Sequence, residues 1–263
     1  MVNAETLRKA QLKMVDILVV IDDICKKHNI QYFLAYGTLL GAVRHKGFIP
    51  WDDDCDICML REDFERFIAI AQKELPNNLF LQNHKTDPYF PRTMTKVRMK
   101  NTLLVEFDES ENEKYHQGIF VDVFIWDYHH PLVMSILDKI KIVNVWKYKR
   151  KMYPKGSFKR VAMQVVVAPA YLVYSTIMKL LAGVAVLVRK NKKLNYVGQE
   201  IKACDGVFYD KNVIFPIKRD LVFEGKSFAV PNNWDSTLTQ MYGDYMKLPK
   251  EEDRYWHAKK IEV

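Results

Sequence analysis

The sequence predicts an α+β protein, a mixed β-sheet flanked by helices and interrupted by a helical insert that is both apolar and basic. Two observations lead there. Short apolar runs bounded by turn residues alternate irregularly with helical periods on either side of the insert. From Leu132 that alternation gives way to long apolar and basic sequence. The expected organisation is a core over 1–131, an insert over 132–205 and a return to the core over 206–263. A chain of 263 residues is long enough to bury a substantial core. Its 40 Lys and Arg against 32 Asp and Glu, net +8, favour an anionic partner: nucleotide, nucleic acid or anionic membrane.

Asn3 is placed to cap a helix reaching about His28, with Leu7, Met14, Ile17, Leu18, Ile21 and Ile24 at helical spacing. A strand is expected over 30–35, a short helix over 38–45 and a second strand over 54–60. The next helix, 63–75, turns Phe64, Phe67, Ile68 and Ala71 to the core and stops at Pro76. Strands follow over 79–82, 93–99, 103–107 and 118–125. After the insert, Glu224-Gly225 reads as a hairpin turn, and Asn232 or Asn233 caps a last helix.

The chemistry concentrates between residues 32 and 59. An apolar run ends at Gly37-Thr38, and Asp52, Asp53, Asp54 and Asp56 then arrive together before the second strand. With period two, that strand turns Asp54 and Asp56 to one face. Adjacent carboxylates repel unless they share a proton, pair with Arg or Lys, or hold a divalent metal. Gly37-Thr38 offers backbone N–H groups suited to phosphate, and phosphate beside paired aspartates points to Mg²⁺. The ordinary alternative is an acidic turn after Pro50 held by local hydrogen bonds. Asp122 interrupts an apolar strand, which is costly unless it is metal-bound or paired, Arg98 being one partner. Lys96 and Arg98 share a strand face, either as solvated edge charges or as neutralisers of a diphosphate.

The run GTLLGAVRHKGFIPWDDD, residues 37–54, resembles the signature of LicD-type phosphocholine transferases, relatives of the fukutin proteins in the nucleotidyltransferase-fold superfamily. TKVRMKNT at 95–102, the Gly118-x-x-x-Asp122-x-Phe124 pattern and the segments around 215–231 and 242–249 resemble the same family. The resemblance therefore covers nearly the whole chain outside roughly 132–205. It implies a nucleotidyltransferase-like sheet, CDP-choline as donor, a lipid-linked glycan acceptor (a teichoic acid precursor or lipooligosaccharide) and release of CMP. Asp54, Asp56 and Asp122 would hold one or two Mg²⁺, or Mn²⁺ in its place, with Asp122 also a base. Gly37 and Thr38 would bind phosphate, and Arg44, Lys46, Lys96 or Arg98 would stabilise the leaving CMP. Trp51, with Trp126 and Tyr128 nearby, is a candidate for the choline ammonium, which aromatic faces can hold. His45 and His116 receive no proton-transfer role. Transfer of ribitol phosphate or of a nucleotidyl group fits the same resemblance, and a non-catalytic nucleotide-binding protein at a membrane surface is the reading of another class.

The insert carries KYKRKMYPK at 147–155, an apolar stretch over 162–188 broken by Gln164, Pro169 and Lys179, and RKNKK at 189–193. Spanning a bilayer would separate the family-like segments on either side of it. Basic clusters on both flanks also argue against crossing. A helical hairpin dipping into one leaflet, with breaks at Pro169 and Gly183, or helices lying on an anionic membrane through 147–193, satisfies both facts. A pair of buried core helices is the ordinary alternative. Residues 1–13 are polar and carry no apolar signal segment, so the expected place of action is the cytoplasmic face of a bacterial plasma membrane, peripheral or monotopic. Nucleic acid is not expected, since the basic residues gather beside the apolar stretch. The four cysteines, with Cys55-x-x-Cys58 as the one close pair, read as reduced thiols.

Overall fold

Asn3 accepts a hydrogen bond from the Thr6 N–H at 2.7 Å and so starts the first helix where the sequence places it. The structure, a computed structural model, describes residues 2–92, 94–140, 157–200 and 207–263. In chain order its elements begin with α1 (Ala4–Lys27), β1 (Phe33–Leu34), α2 (Tyr36–His45), β2 (Asp56–Leu60) and α3 (Arg61–Glu74). There follow β3 (Leu79–Gln82), β4 (Thr95–Met99), β5 (Leu103–Glu106), β6 (Phe120–His129), α4 (Pro131–Ile140) and α5 (Phe158–Val188). The last are β7 (Tyr196–Gln199), β8 (Phe208–Asp210), α6 (Lys211–Ile214), β9 (Val222–Phe223), β10 (Lys226–Ser227), α7 (Trp234–Tyr242) and β11 (Ala258–Glu262). They form two units, Met1–Trp126 with Asn212–Val263, and Asp127–Lys211.

In the first unit the sheet runs β1-β2-β6-β4-β3, with β2 and β6 parallel and the other neighbours antiparallel. Met14, Ile17, Leu18 and Ile21 of α1 are fully buried, each worth roughly 1.5–3 kcal/mol of apolar burial. They share one core with Phe64, Phe67 and Ala71 of α3 and with Ile57, Val97, Val121 and Val123 of the sheet. The expected hairpin forms at Glu224-Gly225, both with positive φ, as a twisted two-residue turn requires. Gly118 is fixed by close approach, because a Cβ there would lie 2.0 Å from the Met99 carbonyl oxygen.

Some expectations shift. The strand expected over 54–60 begins at Asp56, leaving Asp54 in the preceding loop. β5 pairs with β11 and lies outside the main sheet. Cys25, Cys55 and Cys58 are buried free thiols, and Cys204 lies outside the described residues.

In the second unit, Val133, Leu181, Ala185 and Phe208 bring α4, α5 and β8 into a small core, and β7 pairs with β8. The insert therefore contains strand as well as helix. α5 runs through Pro169 and Gly183 as one helix, so no hairpin breaks at those positions. A proline removes a single ladder hydrogen bond, and a long helix can keep the rest. The basic run at 147–155 lies outside the described residues. Among the described residues, no helix is long and apolar enough to cross a membrane.

Candidate active site

The acidic cluster is built by register. Asp56 of β2 stands opposite Asp122 of β6, and Asp122 stands opposite Lys96 of β4. These three side chains form a row across three adjacent strands, all buried. The Lys96 Nζ lies 3.0 Å from Asp122 Oδ1 and donates to Oδ2 at 3.1 Å, and it is 3.4 Å from Glu106 Oε1 of β5. The same ammonium sits 3.2 Å from the centre of the Phe120 ring. Behind Glu106, Arg92 bonds that carboxylate and Asp108 as well. The ion pair to Asp122 thus comes from Lys96, and Arg98 takes no part in it. Arg98 is fully buried, donates to Gln82 and to the Gly118 carbonyl, and stacks over Phe120 and Phe90.

The loop before β2 is held from several sides. Gln11 of α1 donates to the carbonyls of Asp52 and Ile49 at 2.9 and 3.3 Å. Asp53 accepts the backbone N–H groups of His257 (2.8 Å) and Ala258 (2.5 Å) and faces His257 Nδ1 at 3.2 Å. Asp54 Oδ2 lies 3.3 Å from the same ring nitrogen. Asp53, Asp54 and His257 bring their donor atoms within 4.8 Å of one another. Both backbone N–H groups fall on Asp53 Oδ2, and His257 Nδ1 stands between Asp53 Oδ1 and Asp54 Oδ2, so the ring orients the two carboxylates together.

α2 begins at Tyr36, whose φ of 48° is a strained left-handed backbone for a bulky residue, and no side chain caps the helix. The Thr38 Oγ1 accepts the Asp56 N–H at 2.8 Å, tying the first turn of α2 to the acidic strand. Gly37 leaves room for Asp52, whose Oδ2 would lie 2.8 Å from a Cβ at that position.

Negative charge in this cluster exceeds what the protein supplies to balance it. Burial pushes the Asp56 carboxyl well above the usual carboxylate range, and Asp54, Asp122 and Asp52 push it further. Asp52 is raised by burial and by Asp54, and its buried Oδ2 accepts no hydrogen bond. Asp54 is raised to about 6 by burial, with His257 opposing. Asp122 is raised by burial despite Lys96. His257 is raised through its hydrogen bond to Asp53. A cluster with a cation deficit suits a hard divalent ion; among the described residues the group whose ligand atoms converge within 4.8 Å is Asp53, Asp54 and His257, and Asp56 and Asp122 are not part of it.

Of the residues singled out in the sequence, Gly37, Thr38, Lys96, Asp54, Asp56 and Asp122 come together. Arg44 bridges His45 Nε2 (3.0 Å) and the Tyr245 carbonyl (2.9 Å), within the field of Asp52. Lys46 is exposed in the left-handed cap of α2. Trp51 lies under the Arg254 guanidinium at 4.2 Å, and it lines a cavity of about 430 Å³ with Trp256, Asp53 and Leu7. Trp126 is buried edge-on against Phe33. Sequence reading missed Gln11, Glu106 and His257. Gln11 carried a signal, a polar residue on the stripe of Leu7, Met14 and Leu18. His257 carried none, since 204 residues separate it from Asp53.

Residues 29–158 match the family model described as LicD/FKTN/FKRP, nucleotidyltransferase domain. Over 264 aligned residues, 96% of this chain and 96% of the relative, the sequence is 29% identical to the lipopolysaccharide cholinephosphotransferase LicD of Haemophilus influenzae. Uncharacterized proteins of Rickettsia typhi and Rickettsia prowazekii are each 46% identical, over 62 and 55 residues. Those stretches are 24% and 21% of this chain and 20% and 21% of the two relatives.

Proposed function

Because residues 29–158 match the LicD-type family model and nearly the whole chain is similar to a lipopolysaccharide cholinephosphotransferase, we propose that it belongs to that family and transfers phosphocholine from CDP-choline to a sugar hydroxyl of a lipid-linked cell-surface glycan of the lipopolysaccharide type, releasing CMP. The observation that carries the proposal is the row Asp56, Asp122 and Lys96 with Asp54 beside it, facing a helix start tied on by Thr38. Phosphoryl transfer asks a protein mainly for positioning and charge neutralisation. Mg²⁺ held by Asp54, Asp56 and Asp122 would neutralise the diphosphate of the donor.

The residues divide the remaining work. Backbone N–H groups of Gly37 and Thr38 bind phosphate oxygens at the start of α2. Asp122 accepts the proton of the acceptor hydroxyl as its oxygen attacks the phosphocholine phosphorus. The bond from that phosphorus to the bridging oxygen breaks, and CMP departs with its charge balanced by Arg44, while Lys96 stays paired with Asp122. His257 and Gln11 keep the Asp52–Asp54 loop in place. Trp51 is assigned to the choline headgroup, with Arg254 moving aside as it enters.

The test is CMP release from CDP-choline by purified protein with a glycolipid acceptor extract, with and without Mg²⁺, alongside Asp54→Asn and Asp56→Asn. Metal-dependent release lost in both variants supports the proposal. A folded protein that ignores CDP-choline and consumes CDP-ribitol overturns the donor assignment and keeps the site.

A further inference from the structure

Helix α5 has apolar side chains on two faces and covers one of them. Leu181 and Ala185, with Ile177, Met178 and Ala182, pack in the small core with Val133 and Phe208. On the other side Phe158, Val165, Leu172, Leu180 and Leu187 are between 66% and 86% exposed. At about 100° per residue these five fall within a stripe about 80° wide, centred directly opposite Ala185. Nine of the nineteen large hydrophobic side chains exposed among the described residues lie on this one helix. Thr176, on the centre line of the stripe, and Ser175, at its side, both donate their hydroxyls to the Leu172 carbonyl at 2.9 Å. They need no water, and that suits an apolar surrounding.

Charge identifies what meets the stripe. Residues 139–199 hold 14 of the chain's 40 Lys and Arg and none of its 32 Asp and Glu. The rest of the chain, with 26 Lys and Arg, is therefore net −6, and the protein's whole positive charge arises in this segment. On the helix itself Lys159 and Lys179 are exposed, and the run from Arg189 to Lys193 closes it. A second copy would bring the same cations face to face. A nucleic acid would leave the apolar stripe unmet.

We propose that α5 lies flat in one leaflet of an anionic bilayer, its outward stripe among the acyl chains and its basic residues at the lipid phosphates. Lys179, at the flank of the stripe, reaches the headgroups along its own aliphatic stem. This goes beyond the transfer reaction, and its test uses neither donor nor acceptor, so either can fail without the other.

The full chain is sedimented with vesicles of phosphatidylcholine alone or mixed with phosphatidylglycerol. Binding at least tenfold stronger to the anionic vesicles, weakened by 0.5 M salt, is expected. The triple variant Leu172→Gln, Leu180→Gln and Leu187→Gln alters exposed positions only, so it should keep its melting temperature and lose binding more than tenfold. In Leu180→Trp, the added emission should shift to the blue on anionic vesicles. No binding to anionic vesicles overturns the proposal. So does a triple variant that binds as well as the parent, or a triple variant whose one change is dissociation of a dimer.

Discussion

Lys96→Met is the most informative single change, because it removes the one ammonium in the row and keeps most of its volume. The Lys96 side chain is 1% exposed, with oxygens of Asp122 at 3.0 Å and Glu106 at 3.4 Å. At an effective dielectric constant near 20, a unit pair at that distance is worth about 5 kcal/mol before desolvation. Breaking a buried pair by removing one partner costs about 3–5 kcal/mol. Protonation sets the ceiling, because Asp122 can take up a proton instead. Doing so at pH 7 from an ordinary value near 4 costs about 4 kcal/mol. We therefore expect a loss of about 3–4 kcal/mol at pH 7, read from urea unfolding in EDTA so that no cation replaces the ammonium. An unpaired buried carboxyl has a raised folded-state pKa, so its stability is greatest at low pH and is lost as pH rises. The deficit should shrink to about 1 kcal/mol by pH 5. Adding Asp122→Asn should recover about 2 kcal/mol of it. A loss under 1 kcal/mol, or a deficit independent of pH, refutes the reasoning.

Other outcomes follow from the same geometry. Asp54→Asn and Asp56→Asn should each lower CMP release by at least about 100-fold, and each should raise stability in EDTA by about 1 kcal/mol through relief of repulsion; fluorimetric melting checks the second part. Gly118→Ala drives a Cβ to 2.0 Å from the Met99 carbonyl, so a loss of about 3 kcal/mol or more is expected in urea unfolding. At Asp22, burial raises the carboxyl, but hydrogen bonds from Arg219, Lys26 and Tyr32 outweigh it and the net pKa is lowered. That group stabilises the fold above its unfolded value near 4, and the contribution is lost as pH falls through the lower folded value. Arg219→Ala should accordingly cost about 1 kcal/mol at pH 7 and almost nothing near pH 2 in urea titrations. His257→Ala should reduce the rate about tenfold with little change in melting temperature.

What could be read beforehand was whatever rests on neighbours in sequence. The α1 cap, the stop of α3 before Pro76, the hairpin at Glu224-Gly225 and the Asn233 cap of α7 are local, and each stands where the residues put it. The acidic cluster announced itself because aspartates are expensive at a strand start. Partners set by register were hidden. Nothing in the strand of Lys96 and Arg98 says which will face Asp122, because both point to one face and pairing with β6 decides between them. β5 joins β11 across about 150 residues, and no local pattern encodes that choice. Pro169 misled in the other direction, because a proline weakens a helix locally while the fate of the helix depends on all its turns.

The clamp on Asp53 has a consequence in time. The aspartate and the amides that hold it are separated by 204 residues of chain. At roughly 5–20 residues per second of synthesis, the acidic loop emerges from the ribosome about 10–40 s before His257 and Ala258 exist. During that interval the nascent protein carries Asp52, Asp53 and Asp54 in an unsecured loop, able to shed repulsion by splaying apart or by taking protons. Pairing of β11 with β5 therefore completes the clamp, and the acidic loop is secured only once that strand has been made.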